Sequence, residues 1–181
     1  MSLSQFNALI GRGISASAEV EIPENVLQEM FYITSEKFTG AMKMSVRISE
    51  RIGQQAGFNV NTANILGAMF TALGQDVSCV HECAISRFGM EALPQESGGG
   101  IRATMYIPSL VVGTLGGGTS LPTQRESLEI MGCYGEGKVR KLAEVITAFC
   151  LALDLSTYSA VSAGYFAEAH DKLGRNRPDE K

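Results

Sequence analysis

The chain has 181 residues, 45% apolar and 19% charged, with a formal net charge of −4. That length suits one domain of ordinary size, and the apolar share is that of a globular chain, not a disordered one. The few, scattered Lys and Arg argue against a nucleic-acid surface, and no run of about 18 to 20 uninterrupted apolar residues suggests a membrane span.

The N-terminus lacks the basic and then apolar pattern of a secretory signal. Cys79, Cys83, Cys133 and Cys150 are therefore expected as thiols in a reducing, cytoplasmic compartment. In residues 14–22, Ile14, Ala16, Ala18, Val20 and Ile22 alternate with polar residues, the pattern of a half-buried strand. Pro23 can open a helix, and residues 24–55 read as helical, with Gly40 as a possible division. Residues 60–75 read as a second helix, opened by Asn59 or Asn61 as a capping residue and apolar on nearly all sides, which places it in the middle of the domain.

Residues 77–92 read as strand, and Glu96 to Gly100 as a turn. Ile101, Ala103, Met105 and Ile107 alternate again, a strand expected to end at Pro108. A glycine-rich segment, Gly113 to Thr119, follows. After it Pro122 and a capping-box pattern, Thr123 to Glu126, predict a helix that Gly132, Gly135 and Gly137 break. Val139, Leu142, Ile146, Phe149 and Leu153 mark one face of a long helix, and a last helix is expected from about Ser156 to Leu173. The polar tail, 174–181, is expected to fray. Strands and helices mix without a regular β-α-β alternation, which predicts an α+β fold.

Gly116, Gly117 and Gly118 before a helix could turn backbone N–H groups toward a phosphate, carboxylate or oxyanion. They could equally form a tight turn that needs permissive backbone angles. Asp76 ends an apolar helix, where the dipole opposes a carboxylate unless a cation is near. His170 near a helix C-terminus is favoured in its protonated form, which suits a general acid, although a surface histidine without a role is equally compatible with the pattern. Asn64 interrupts an apolar face and needs partners for its amide, either structural or from a ligand. Cys79, His81 and Cys83 would share one face of a strand, but the spacing lacks a fourth ligand, so no metal site is expected.

Val112 to Thr119, VGTLGGGT, resembles a signature of 3-hydroxy-3-methylglutaryl-CoA (HMG-CoA) reductases. Three further segments resemble that family in the same order: Gly11-Arg12-Gly13 with the strand through Ile22 and Pro23; Asn59 to Asn64 followed by Gly74-Gln75-Asp76; and Ala160 to His170. The likeness runs from about Asn7 to Pro178. It implies a large, substrate-binding domain fragment of HMG-CoA reductase type, with long buried helices packed against strands and residues 1–181 as a single domain.

The activity implied is reduction of the HMG-CoA thioester to mevalonate and CoA with NADPH or NADH, in a self-associating enzyme. The resemblance makes Asp76 and His170 catalytic. His170 would protonate the departing thiolate, and Asp76 would support a lysine that polarises the carbonyl. Asn64, Asn61 and Arg47 become substrate-binding candidates, and Thr114, Leu115, Gly116, Gly117 and Gly118 cofactor-binding ones.

The sequence also departs from the family pattern. Asn61 stands where a histidine is usual and Thr157 where an apolar residue is usual, and Phe166, Glu168 and Asp171 are unusual types for the last helix. The lysine that binds the substrate carboxylate has no clear match, leaving Lys43, Arg47 and Arg51 as candidates. The family's catalytic lysine and glutamate and its small cofactor-binding domain match nothing in these residues. The chain by itself is therefore expected to be inactive, and a non-catalytic CoA- or anion-binding homologue is the alternative.

Overall fold

The computed structural model describes residues 10–53 and 57–173, the side chains of residues 97, 169, 170 and 173 excepted. The tail expected to fray lies outside the described residues. Three strands form one antiparallel sheet in the order β1-β3-β2: β1 (Ile14–Ile22), β2 (Arg87–Ala92) and β3 (Ile101–Leu110). Seven helices accompany them among the described residues: α1 (Glu24–Phe31), α2 (Ser35–Arg51), α3 (Thr62–Ala72), α4 (Val80–Cys83), α5 (Pro122–Ile130), α6 (Val139–Ala163) and α7 (Phe166–Leu173). This is the mixed helix-and-sheet architecture expected.

The alternation read in the sequence gives the sheet two unlike faces. Ala16 faces Ile107, Ala18 faces Met105 and Phe88 faces Met105 across the ladders, and Ala103, Met105 and Ile107 are wholly buried. On the other face Arg102 meets Glu21 at 2.6 Å and Glu91 at 3.0 Å. The long helix α6 lies across the apolar face and also packs on α3. Leu142, Ala143, Ile146 and Cys150 supply its buried stripe, at the spacing that puts side chains on one helical face. This helix is long and apolar enough to cross a membrane by length and composition, yet here it is the core helix of the fold. Tyr158, near its end, stacks on Phe38 at 5.7 Å and meets Phe58 and Phe88 edge-on. Its hydroxyl bonds Ser45 at 2.8 Å, tying α2 to α6.

Five boundaries differ from the sequence reading. The helical stretch 24–55 divides at Tyr32 and not at Gly40, which lies inside α2. Tyr32 takes a left-handed conformation (φ 53°), Ile33 N–H reaches back to Leu27, and Thr34 caps α2 by accepting from Lys37 N–H.

Residues 77–83 are not strand: Val77–Cys79 is a 3-10 turn running into α4. Pro108 lies inside β3 and does not end it. It falls beyond the last β2 pair (Arg87 with Tyr106) and beside the register shift between Ile14 and Ala16, where the ladder needs no donor from it. Pro122 begins α5 as its first residue, so Thr123 and Glu126 already lie in the helix and form no capping box. Finally, the long helix runs unbroken through Ser156 to Ala163 and stops at Gly164 (φ 89°), leaving α7 as a short separate helix.

Candidate active site

The Gly-Gln-Asp turn and the glycine-rich segment form one unit. Helix α3 buries Leu66 and Phe70, and the chain then reverses at Gly74 (φ 66°), with Gln75 N–H bonded to the Phe70 carbonyl at 2.9 Å. Gly74 and Gly118 meet backbone to backbone: a Cβ on Gly118 would stand 2.8 Å from the Gly74 carbonyl oxygen. The Gln75 side chain closes the contact. Its Oε1 accepts from Gly113 N–H at 2.7 Å, and its Nε2 donates to the carbonyls of Gly113 and Leu73, both at 2.9 Å.

Inside the glycine-rich segment the two threonines hold the shape. Thr119 donates to the Gly116 carbonyl at 2.7 Å, and Thr114 donates to the Gly135 carbonyl at 2.7 Å. Both threonines are buried, whereas Leu115 is exposed. Gly116 (φ 80°) and Gly117 (φ 55°) have open space where a Cβ would be. The three glycines thus divide their work: two make the turn, and Gly118 permits the close approach to Gly74.

Asp76 is not set against a helix C-terminus. Helix α3 ends at Ala72, and Asp76 caps the next 3-10 turn, its Oδ1 accepting from Ser78 N–H at 2.9 Å. The Ser78 hydroxyl first and its N–H second hold the Asp76 carboxyl below the usual aspartate range, and the Arg12 charge adds to this. Arg12 is held in place twice. Ser109, buried near the end of β3, donates to its carbonyl. Its guanidinium reaches Glu82 at 2.8 Å and 3.1 Å, and Glu82 is buried. Arg12 is paired with Glu82, and its charge is the smallest of the influences on Asp76; the helix end that would have called for a cation beside Asp76 is not there.

The start of α3 is held by α6. Asn61 occupies the cap position, but its side chain makes no cap bond. Buried Asp154 reaches across instead, its Oδ2 accepting from Val60 N–H at 3.0 Å and its Oδ1 from Asn61 N–H at 2.8 Å. A carboxylate here satisfies N–H groups left open at a helix start and meets the positive end of the dipole. Burial nevertheless raises the Asp154 pKa, against the lowering by the two N–H donors. The Asn61 amide donates to Thr157 Oγ1 at 3.0 Å, and the Asn64 amide donates to Asn61 Oδ1. Asn64 is exposed, not buried in an apolar face as its neighbours suggested; the buried polar residue of α3 is Thr62, bonded by Ser86 at 3.1 Å.

His170 falls on α7, which packs on the end of α6; its side chain lies outside the described residues. Arg47, with Lys43 and Arg51, is on the exposed side of α2, on a different helix from Asn61 and Asn64. Cys79 and Cys83 are buried while His81 is exposed, and no group that could hold a metal is found among the described residues. Burial pushes the Cys83 thiol up to about 11 and the Cys150 thiol up to about 12, so both stay protonated.

Four positioning residues escaped the sequence reading: Gln75, Arg12, Glu82 and Asp154. Asp154 left a signal, as an acid four residues beyond Cys150 on the apolar face of a helix.

Residues 2–175 match the family described as hydroxymethylglutaryl-coenzyme A reductase. The chain belongs to that family. It is 36% identical over 172 residues to the 3-hydroxy-3-methylglutaryl-coenzyme A reductase of Methanocaldococcus jannaschii, covering 95% of this chain and 42% of that protein. Against the reductase of Haloferax volcanii it is 38% identical over 174 residues, 93% of this chain and 42% of that protein. Against 3-hydroxy-3-methylglutaryl-coenzyme A reductase 2 of Saccharomyces cerevisiae it is 33% identical over 187 residues, 97% of this chain and 17% of that protein. The chain thus spans about two fifths of the archaeal reductases it matches.

Proposed function

We propose that these residues supply part of the active site of an HMG-CoA reductase, which reduces the thioester to mevalonate and CoA with NADPH or NADH. The observation that carries this reading is the clamp of Gln75 on Gly113. It joins Asp76, on one turn, to the glycine-rich segment on another, so that a carboxylate and a bare stretch of backbone serve one site. Asp76, ionised through Ser78, stabilises a cation that polarises the thioester carbonyl. Asn64, exposed one turn into α3, contacts the acyl group beside that carbonyl. His170 protonates the departing thiolate. Asn61 and Arg47 complete the substrate wall in this reading.

Thr114, Leu115, Gly116, Gly117 and Gly118 would hold the nicotinamide, with no side chain at Gly116 or Gly117 to obstruct it. When bound, the nicotinamide supplies hydride. The same reading takes residues 1–181 as one large-domain unit that self-associates in the cytoplasm, away from nucleic acid and membrane.

Calorimetric titration of the full-length protein with HMG-CoA and with CoA tests the proposal. Affinity at least tenfold higher for HMG-CoA supports it. Equal affinities overturn it in favour of a non-catalytic CoA- or anion-binding homologue, to which the unusual Phe166, Glu168 and Asp171 would then belong.

A further inference from the structure

Asn61, at the start of α3, and Thr157, on α6, are bonded to each other: the Asn61 amide nitrogen donates to Thr157 Oγ1 at 3.0 Å. Three residues earlier on α6, Asp154 takes the backbone N–H groups of Val60 and Asn61. One turn of α6 therefore grips Asn61 by both backbone and side chain. The consequence falls on Asn64. A primary amide has a donor end and an acceptor end. With its nitrogen committed to Thr157, Asn61 turns its oxygen toward Asn64, whose nitrogen donates to it. Asn64 is exposed, and with its nitrogen donating to Asn61 its oxygen is the end left to accept.

We infer that Asp154 and Thr157 are positioning residues that orient Asn64, acting through Asn61, so that Asn64 offers an acceptor to a hydrogen-bond donor on the ligand. Asn61 is by this account the relay between Thr157 and Asn64. An apolar residue at 157 offers no acceptor to hold the Asn61 nitrogen, and the Asn64 amide loses its fixed orientation. Thr157 lies on the side of α6 facing α3, and its neighbour Tyr158 is packed in the aromatic cluster, so the turn that carries the hydroxyl is held by the core.

The inference rests on the proposed acyl-binding role of Asn64, and the test separates the two. In 15N-labelled full-length protein, Thr157→Val is expected to shift the side-chain NH2 resonances of both Asn61 and Asn64, while Thr157→Ser leaves them near wild type. HMG-CoA affinity is expected to fall about fivefold to tenfold in Thr157→Val, with recovery in Thr157→Ser and melting temperatures within a few degrees. Asp154→Asn shifts the backbone amides of Val60 and Asn61. An unmoved Asn64 NH2 signal in folded Thr157→Val overturns the relay. So does a loss of affinity that Thr157→Ser fails to restore. Wild-type protein that does not bind HMG-CoA refutes the acyl-site reading instead, and the NH2 resonances still decide whether Thr157 orients Asn64.

Discussion

Gly74 and Gly118 touch backbone to backbone, and this contact sets Asp76 beside the glycine-rich segment. A Cβ on Gly118 would be 2.8 Å from the Gly74 carbonyl oxygen; one on Gly117 would meet nothing within 4 Å. The two glycines therefore answer to different physics. Gly118→Ala forces two backbone segments apart, an overpacking cost of about 1–3 kcal/mol, and separates the two parts of the site. Gly117→Ala strains only its own left-handed backbone, about 1–2 kcal/mol. Gly74 has both burdens, with φ 66° and the same close contact. Denaturant unfolding is expected to rank Gly74→Ala as the most destabilised of the three. Equal losses at positions 74 and 117 would contradict the contact.

Gln75 is expected to tolerate no isosteric replacement. Gln75→Glu keeps an acceptor for Gly113 N–H but sets carboxylate oxygen against the carbonyls of Gly113 and Leu73, which the amide nitrogen now satisfies. The expected cost is about 1–3 kcal/mol by chemical denaturation at neutral pH. A Gln75→Glu protein as stable as wild type would show that the clamp contributes nothing.

Asp76 is held below the ordinary aspartate range, chiefly by Ser78. A lowered folded pKa stabilises the protein above the unfolded value, and that contribution is lost as pH falls through the folded value. Carbon-13 titration of the Asp76 carboxyl is expected to give a midpoint below about 3.9, moving upward in Ser78→Ala. An unchanged midpoint in that variant would remove Ser78 as the cause.

Asp154 has the opposite sign. Its folded pKa is raised, mainly by burial, so between the ordinary value and the raised one the folded chain binds the extra proton. The stability of wild type relative to Asp154→Asn should therefore decline as pH rises through that window. Thermal melts of both proteins from pH 4 to 8 check it, and a difference growing with pH would contradict the burial cost.

The elements that alternate or recur at helical spacing were legible in the sequence. β1, β3 and the stripe of Leu142 and Ile146 on α6 follow directly from the period of their apolar residues. Residues 77–83 were not, because Val77, Cys79 and Cys83 fit a strand period as well as two short helical turns, and only Asp76 capping Ser78 decides between them. The division at Tyr32 was hidden because a left-handed tyrosine has no sequence mark, whereas Gly40 offered a false one. Asp76 and Asn64 stand out in the sequence only through the resemblance. Their supports do not: Gln75, Arg12 and Asp154 act through partners 38, 70 and 93 or 94 residues away in the chain, and no local pattern carries such a pairing.

The most direct test of the account is the rate of NADPH or NADH oxidation with HMG-CoA by these residues assembled with a segment that supplies the family's lysine and glutamate, measured beside Asp76→Asn. HMG-CoA-dependent turnover in the wild type, and a fall of about a hundredfold or more in the folded variant, is the result the account predicts. Turnover that survives the substitution, or a wild-type protein that binds CoA and HMG-CoA alike without oxidising either nucleotide, would contradict it.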